Sequence, residues 1–199
     1  MNYLWLTPKD QHYNNFVFFS ESSKSLVLRD IYKTVQCPCC GKFDEDAALL
    51  VPVSGEVKIR ARADYVGTDD GLICVSDGLR QLLLSAEIEG LDFLAMPNDP
   101  LYWIATPTCL VPTDVTVAGF QYQGSQCKCC GRWQGVYLRP TLNSLAIPDN
   151  PKMIFAPSIW NERAKNRQTW LMCSEVVVKI LKDNLVSGVE YRHEPLIIA

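Results

Sequence analysis

Two stretches of the chain switch hydrophobic period in the same order. GLICVSDGLRQLLLSAEIEGLDFLAMP (71–97) and TWLMCSEVVVKILKDNLVSGVEYRHEP (169–195) each begin with a short apolar run. Each then passes through Ser76 or Ser174 to apolar residues at helical spacing: Leu79, Leu82, Leu83 and Ala86 in the first, Val177, Ile180 and Leu181 in the second. A serine hydroxyl at the helix start accepts a hydrogen bond from an orphan N–H, and the acids that follow, Asp77 and Glu175, suit the positive end of the helix dipole. Beyond the helices, Gly90 and Gly188 allow a left-handed turn that sends LDFLAM and VEYRHE out as strands. Both stretches are therefore expected to fold as strand, helix, turn and strand.

NNFVFFSES (14–22), SLVLRDIY (25–32), EVKIRARADYVG (56–67) and VTVAGFQYQ (115–123) read as strands, from alternation or from β-branched and aromatic content. The class is α+β, with more strand than helix.

The agreement extends beyond the helices. YLWLTP (3–8) matches YWIATP (102–107), and YKTVQCPCCGKF (32–43) matches YQGSQCKCCGRW (122–133). Three matched blocks in one order predict an internal duplication of two strand-rich halves, 1–100 and 101–199, each with one helix toward its C-terminal end. Pro97, Asn98, Asp99 and Pro100 form a turn at the seam, too short to act as a flexible linker, so the halves are expected to pack as one body.

Each cysteine block contains C-x-x-C-G: Cys37, Cys40 and Gly41, then Cys127, Cys130 and Gly131. Two residues between thiolates let a tight turn aim both sulfurs at one point, and two such knuckles complete a tetrahedral site of four thiolates for Zn(II). The expected arrangement is a zinc-ribbon-like structural site of Cys37, Cys40, Cys127 and Cys130, one knuckle from each half. Two other readings are buried reduced thiols and a redox pair, though the βαβ setting of a thioredoxin-like site is not evident. Cys39 and Cys129 are expected to pack beneath the knuckles, or in a shifted register to replace a neighbouring ligand. Cys74, Cys109 and Cys173 read as small buried hydrophobes.

The 199 residues are 48% hydrophobic and 21% charged, an ordinary globular balance. No run approaches the roughly 20 apolar residues of a membrane span, and the first residues lack the basic and apolar regions of a signal peptide, so the expected location is cytoplasmic. A formal charge of −3 argues against a general nucleic-acid binder. Nine cysteines, six of them in two tight clusters, argue for metal or redox chemistry over a complete disulfide framework. The two histidines, His12 and His193, stand in unrelated contexts. No phosphate-binding loop, nucleophile elbow or H-E-x-x-H motif is present. A site closed by four thiolates offers no open coordination position, so no enzyme is expected. Acidic runs at Asp44, Glu45 and Asp46 and at Asp69 and Asp70 read as solvated loops.

The double knuckle, the serine–acid–helix block and the closing GVEY…P together resemble the bacterial double-CxxCG motif immunity protein family. The resemblance is clearest from CKCCGRW through SLAIPDNPKMIF to LMCSEVVVKILKDNLVSGVEYRHEP. It implies a small cytoplasmic antitoxin that binds and neutralises a cognate polymorphic toxin encoded next to it. Only the four C-x-x-C cysteines and their glycines carry over position by position.

Such a protein acts through its surface, and an acidic face favours a basic partner. Asp44, Glu45 and Asp46, directly after the first knuckle, are the candidate partner-binding residues. Trp133, Trp160 and Trp170 could anchor an interface, but core packing is the plainer reading. The alternative function is a zinc-ribbon nucleic-acid-binding or regulatory protein. Its local support is WNERAKNRQTW (160–170), where Arg163, Lys165 and Arg167 lie between two tryptophans.

Overall fold

The computed structural model describes residues 3–9, 15–22, 25–42, 44–112, 121–137, 141–142, 146–157, 161–163, 166–168, 171–193 and 197–198. In chain order the elements are β1 (Tyr3–Pro8), β2 (Phe19–Ser22), β3 (Ser25–Leu28), a 3-10 helix (Asp30–Val35), α1 (Glu45–Leu49), β4 (Tyr65–Gly67), β5 (Ile73–Ser76), α2 (Asp77–Ser85), β6 (Leu91–Ala95), β7 (Tyr102–Pro107) and β8 (Leu110–Val111). There follow β9 (Gln121–Gln126), β10 (Trp133–Tyr137), β11 (Thr141–Leu142), β12 (Ile154–Pro157), β13 (Asn161–Arg163), β14 (Asn166–Gln168), β15 (Leu171–Ser174), α3 (Glu175–Asp183), β16 (Val189–Arg192) and β17 (Ile197–Ile198). The fold is α+β and strand-rich, as the pattern implies. Among the described residues no helix is long and apolar enough to cross a membrane.

Two sheets dominate. One runs β4-β5-β7-β6, the other β16-β1-β15-β12-β8. In the first, β7 lies between β5 and β6 and pairs Tyr102 with Ser76 and Pro107 with Leu91. In the second, β1 lies between β15 and β16 and pairs Tyr3 with Ser174 and Pro8 with Val189. The outer strands also correspond: Tyr65 faces Val75 as Ile154 faces Cys173. YLWLTP and YWIATP are thus the inner strands of two sheets paired in matching register. The turn Pro97–Pro100 lies inside the β6–β7 connection of a single sheet, while the strand that completes the other sheet comes from the N-terminal end of the described chain.

Alternation assigns the strand faces. Ile73, Val75, Leu171, Cys173, Leu4 and Leu6 meet the buried faces of α2 (Leu79, Leu83) and α3 (Val177, Val178, Leu181) in one core. The intervening residues go elsewhere. Cys74 and Ile104 face a second cluster with Val17, Phe18, Tyr32, Val57 and Ile59, whereas Trp5 and Met172 face Val111 and Phe155.

Both helices begin as expected. Ser76 Oγ accepts from Leu79 N–H at 3.1 Å, and Ser174 Oγ accepts from Val176 N–H at 3.1 Å and Val177 N–H at 3.5 Å. Their ends differ from expectation. The left-handed residues at the helix ends are Glu87 (φ 54°) and Leu185 (φ 55°), followed by the bonds Ile88 N–H to Leu83 O and Val186 N–H to Leu181 O. Gly90 (φ 93°) and Gly188 (φ 80°) act three residues later, where a Cβ would collide with the carbonyl oxygens of Ile154 and Tyr65 respectively. Each glycine permits both the turn and a close backbone approach to the other sheet.

Three strand expectations change. Residues 56–64 form no ladder, although Val57, Ile59 and Ala61 are buried in alternation. Their backbone is tied instead by Asp99 Oδ2, accepting from Ile59 N–H at 2.8 Å, and Asn15 Oδ1, accepting from Arg60 N–H at 2.9 Å. SLVLRDIY pairs only over Ser25–Leu28 and then coils into the 3-10 helix, burying Tyr32. Among the described residues of NNFVFFSES only Phe19–Ser22 is strand, and Val17 and Phe18 bend around a buried carboxylate. That group is Asp70, 2% exposed, whose Oδ2 accepts from Val17 and Phe18 N–H at 2.8 and 2.7 Å. The reading of Asp70 as part of a solvated loop is therefore corrected. Of VTVAGFQYQ, residues 115–120 lie outside the described residues and Gln121 begins β9.

Candidate metal centre

The two knuckles are built alike. In the first, Cys37 N–H donates to Lys42 O at 2.7 Å and Gly41 N–H to Cys37 O at 2.9 Å. In the second, Cys127 N–H donates to Arg132 O and Gly131 N–H to Cys127 O, both at 2.8 Å. Gly41 and Gly131 share φ of 71°, and no atom lies within 4 Å of where a Cβ on Gly41 would stand. The glycine is needed there for its dihedral angle, not for space. Gln36 and Gln126 brace the loops, their side-chain amides donating to Gly41 O at 3.1 Å and Gly131 O at 2.7 Å.

The knuckles meet. Cys37 Sγ lies 3.8 Å from Cys127 Sγ, Cys40 Sγ lies 3.6 Å from Cys130 Sγ, and all four sulfurs are within 4.8 Å of one another. Four sulfurs placed tetrahedrally at about 2.3 Å from a zinc ion stand about 3.8 Å apart, so the donor set fits such an ion in both chemistry and spacing. None of the four cysteines is fully buried.

The backbone also prepares anionic sulfur. Hydrogen bonds from the N–H groups of Cys130 and Cys129 bring the Cys127 thiol down to about 6, and those of Cys40 and Cys39 lower Cys37 in the same way. Cys40 is raised to about 12: the Lys42 N–H bond favours its thiolate, but burial and the neighbouring Cys37, Cys127 and Cys130 sulfurs outweigh it. The crowding thus pushes Cys40 up while the backbone draws Cys37 and Cys127 down, the behaviour of neighbouring like charges that a cation would neutralise together.

Cys39 and Cys129 neither pack beneath the knuckles nor join the ligands. They are exposed and bonded to each other in a disulfide that links the two loops. Cys74 and Cys173 are fully buried as expected, whereas Cys109 is only half-buried.

The residue after each knuckle glycine also crosses to the other loop. Lys42 Nζ donates to Trp133 O at 2.5 Å, and Arg132 pairs with Asp44 at 3.1 Å. The signal was in the sequence, since lysine and arginine occupy the same place in the repeated block, but their partners were not.

The acidic run is structural in part. Asp44 caps α1 by accepting from Ala47 N–H at 3.0 Å while holding Arg132, so the acidic run from Asp44 to Asp46 opens a capped helical turn and is not a loop. Asp46 is exposed on that turn, and Glu45 is its first residue. Within WNERAKNRQTW, β13 and β14 pair antiparallel with Glu162 opposite Arg167 and Arg163 opposite Asn166; Trp160, Lys165 and Trp170 lie outside the described residues. His12 also lies outside them, and His193 is exposed just after β16. No family model matches the chain, and no curated protein matches it significantly.

Proposed function

We propose that this chain is an internally duplicated, zinc-stapled immunity protein that acts by binding a cognate toxin in the cytoplasm and catalyses no reaction itself. The observation that carries the reading is the meeting of two equivalent C-x-x-C-G knuckles in one four-sulfur site. Matching register around β1 and β7 supports the duplication. Four thiolates fill a tetrahedral zinc and leave it no reactive position, which favours a structural ion over a catalytic one. The toxin-binding role rests on the resemblance carried by the knuckles and by the serine–acid–helix block, and the net charge of −3 suits a basic partner.

The test is to express the C-terminal domain of a neighbouring large secreted protein in a naive host, with and without this chain, and score survival. Rescue with co-purification is expected. Killing that continues unchanged would refute the immunity role, and salt-sensitive binding to DNA or RNA would then favour the regulatory alternative. For the ion, the purified protein should carry about one zinc per chain, lost together with the fold in Cys37→Ser or Cys130→Ser. A wild type equally stable without metal would remove the staple.

A further inference from the structure

We propose that Cys39 and Cys129 form a redox-operated clamp on the metal centre, whose closure as a disulfide tightens the hold on zinc where thiol oxidation ordinarily expels it. The inference rests on the zinc reading above. When the thiols that oxidise are the ligands themselves, each disulfide formed removes two donors. Here the bonded pair contains none of the four ligands: Cys37, Cys40, Cys127 and Cys130 remain free thiols within 4.8 Å of one another while Cys39 is joined to Cys129. The oxidised state is therefore competent to bind metal.

The direction of the effect follows from topology. The ligands are divided between two loops 90 residues apart, so losing the ion begins with separation of the loops. A covalent bond between equivalent positions of the two loops prevents that separation and keeps the second pair of sulfurs beside the first. Both cysteines are exposed, so a small thiol or disulfide can reach them. In a reducing compartment a disulfide in such a place is typically transient and redox-sensing.

Closure is a two-electron exchange. Cys39 and Cys129 lose two electrons and two protons as their S–S bond forms. One molecule of oxidised glutathione takes up both as its own S–S bond breaks, giving two glutathione thiols.

The test uses the full chain loaded with zinc, either oxidised with glutathione disulfide or reduced and desalted without oxygen. Release of zinc to excess chromogenic chelator is then timed. The oxidised protein should release zinc at least about tenfold more slowly. Alkylation after denaturation should count seven thiols in the oxidised form, matching the seven free cysteines, and all nine in the reduced form. Equal or faster release from the oxidised form, or nine thiols in both, overturns the clamp. The variant Cys39→Ser/Cys129→Ser should bind zinc and release it at the reduced rate whatever the oxidant, and a retained oxidant response would also overturn the clamp. Absence of zinc from both forms, with seven thiols still counted in the oxidised one, would defeat the metal reading and the clamp with it. That result is distinct from zinc bound in both and released at one rate.

Discussion

The β4-β5-β7-β6 sheet and the β16-β1-β15-β12-β8 sheet pair equivalent residues, yet they obtain their inner strand in different ways. β7 arrives through the short turn after β6, whereas β1 pairs Leu6 with Leu171 across nearly the whole chain. Register is nevertheless the same. What fixes it is the side chains on the helix-facing surface, because a slip of one residue would turn Leu4 and Leu6 away from the core and Trp5 into it. Connectivity can change around a sheet as long as that face is preserved. The outer faces carry no such common demand and are covered differently, one by Val17, Phe18, Tyr32 and Val57, the other by Val111 and Phe155.

The largest test is to break the unusual connection. Deleting residues 1–8 removes buried Leu4, Trp5 and Leu6 together with the inner strand of one sheet. At about 1.5–3 kcal/mol per buried side chain, the three together are worth about 4.5–9 kcal/mol, comparable with the roughly 5–15 kcal/mol of a typical domain. Soluble, cooperatively melting protein is not expected, and a circular dichroism melt unchanged from wild type would show that β1 is dispensable. A circular permutant sharpens the point. Moving residues 1–8 behind residue 199 through a short flexible linker gives the second sheet the local connection the first already has, and the melting temperature should stay within a few degrees. Failure of that permutant to fold would mean that the N-terminal connection itself matters.

The next effect compares the two glycines. Gly188→Ala and Gly90→Ala each impose a left-handed dihedral on a side chain and drive its Cβ into a carbonyl oxygen of the other sheet. Both should lose about 2–4 kcal/mol in urea unfolding. If one is neutral, the equivalence of the two inter-sheet approaches fails at that site.

The helix caps are smaller. Ser76→Ala and Ser174→Ala should each cost about 1–2 kcal/mol. Their surroundings differ, since Ser76 Oγ donates to Asp64 at 2.8 Å and Ser174 Oγ to Pro151 O at 2.5 Å. A cap that can be removed without loss of stability would show that its helix is held by packing alone.

The smallest expected effect belongs to the contact between Asp64 and Ser187. Burial works to raise the Asp64 carboxyl, but hydrogen bonds from the Ser187 hydroxyl and N–H and from Ser76 outweigh it and hold its pKa below 3.8. A depressed folded-state pKa gives stability that is present at neutral pH and lost on acidification through that pKa. Wild type should therefore lose its advantage over Asp64→Asn as the pH falls below about 4. Parallel acid profiles for the two proteins would remove Asp64 from the link. Asp70 has the opposite sign: burial raises its pKa above 3.8 against the bonds from Thr68, Phe18 and Val17, so it favours folding only on the acid side.

Much of this was legible from local chemistry. Periodicity marked α2 and α3, serine marked their first turns, and the C-x-x-C-G spacing marked each knuckle. Local pattern gave way where long-range partners decided. Alternation at Val57, Ile59 and Ala61 reports one-sided burial correctly, but a carboxylate and an amide from distant segments take the place of a neighbouring strand. The run at Asp44 resembles a solvated loop until Arg132 arrives from the other knuckle. Gly90 and Gly188 read as helix stops, yet Glu87 and Leu185 end the helices and the glycines serve a contact no neighbour in sequence reveals.

The sequence by itself determined what single turns and single periods can encode: two matched strand–helix–strand units, two matched sulfur knuckles, and residue types suited to a thiophilic ion. The tertiary structure alone decided how they combine. It placed β1 in a sheet formed otherwise by strands that begin at Leu110 or later, brought four sulfurs from two loops within 4.8 Å, and joined Cys39 to Cys129. Dihedral preference and hydrophobic period act over a few residues, whereas sheet order and sulfur proximity depend on which faces can be buried together. That depends on the whole chain.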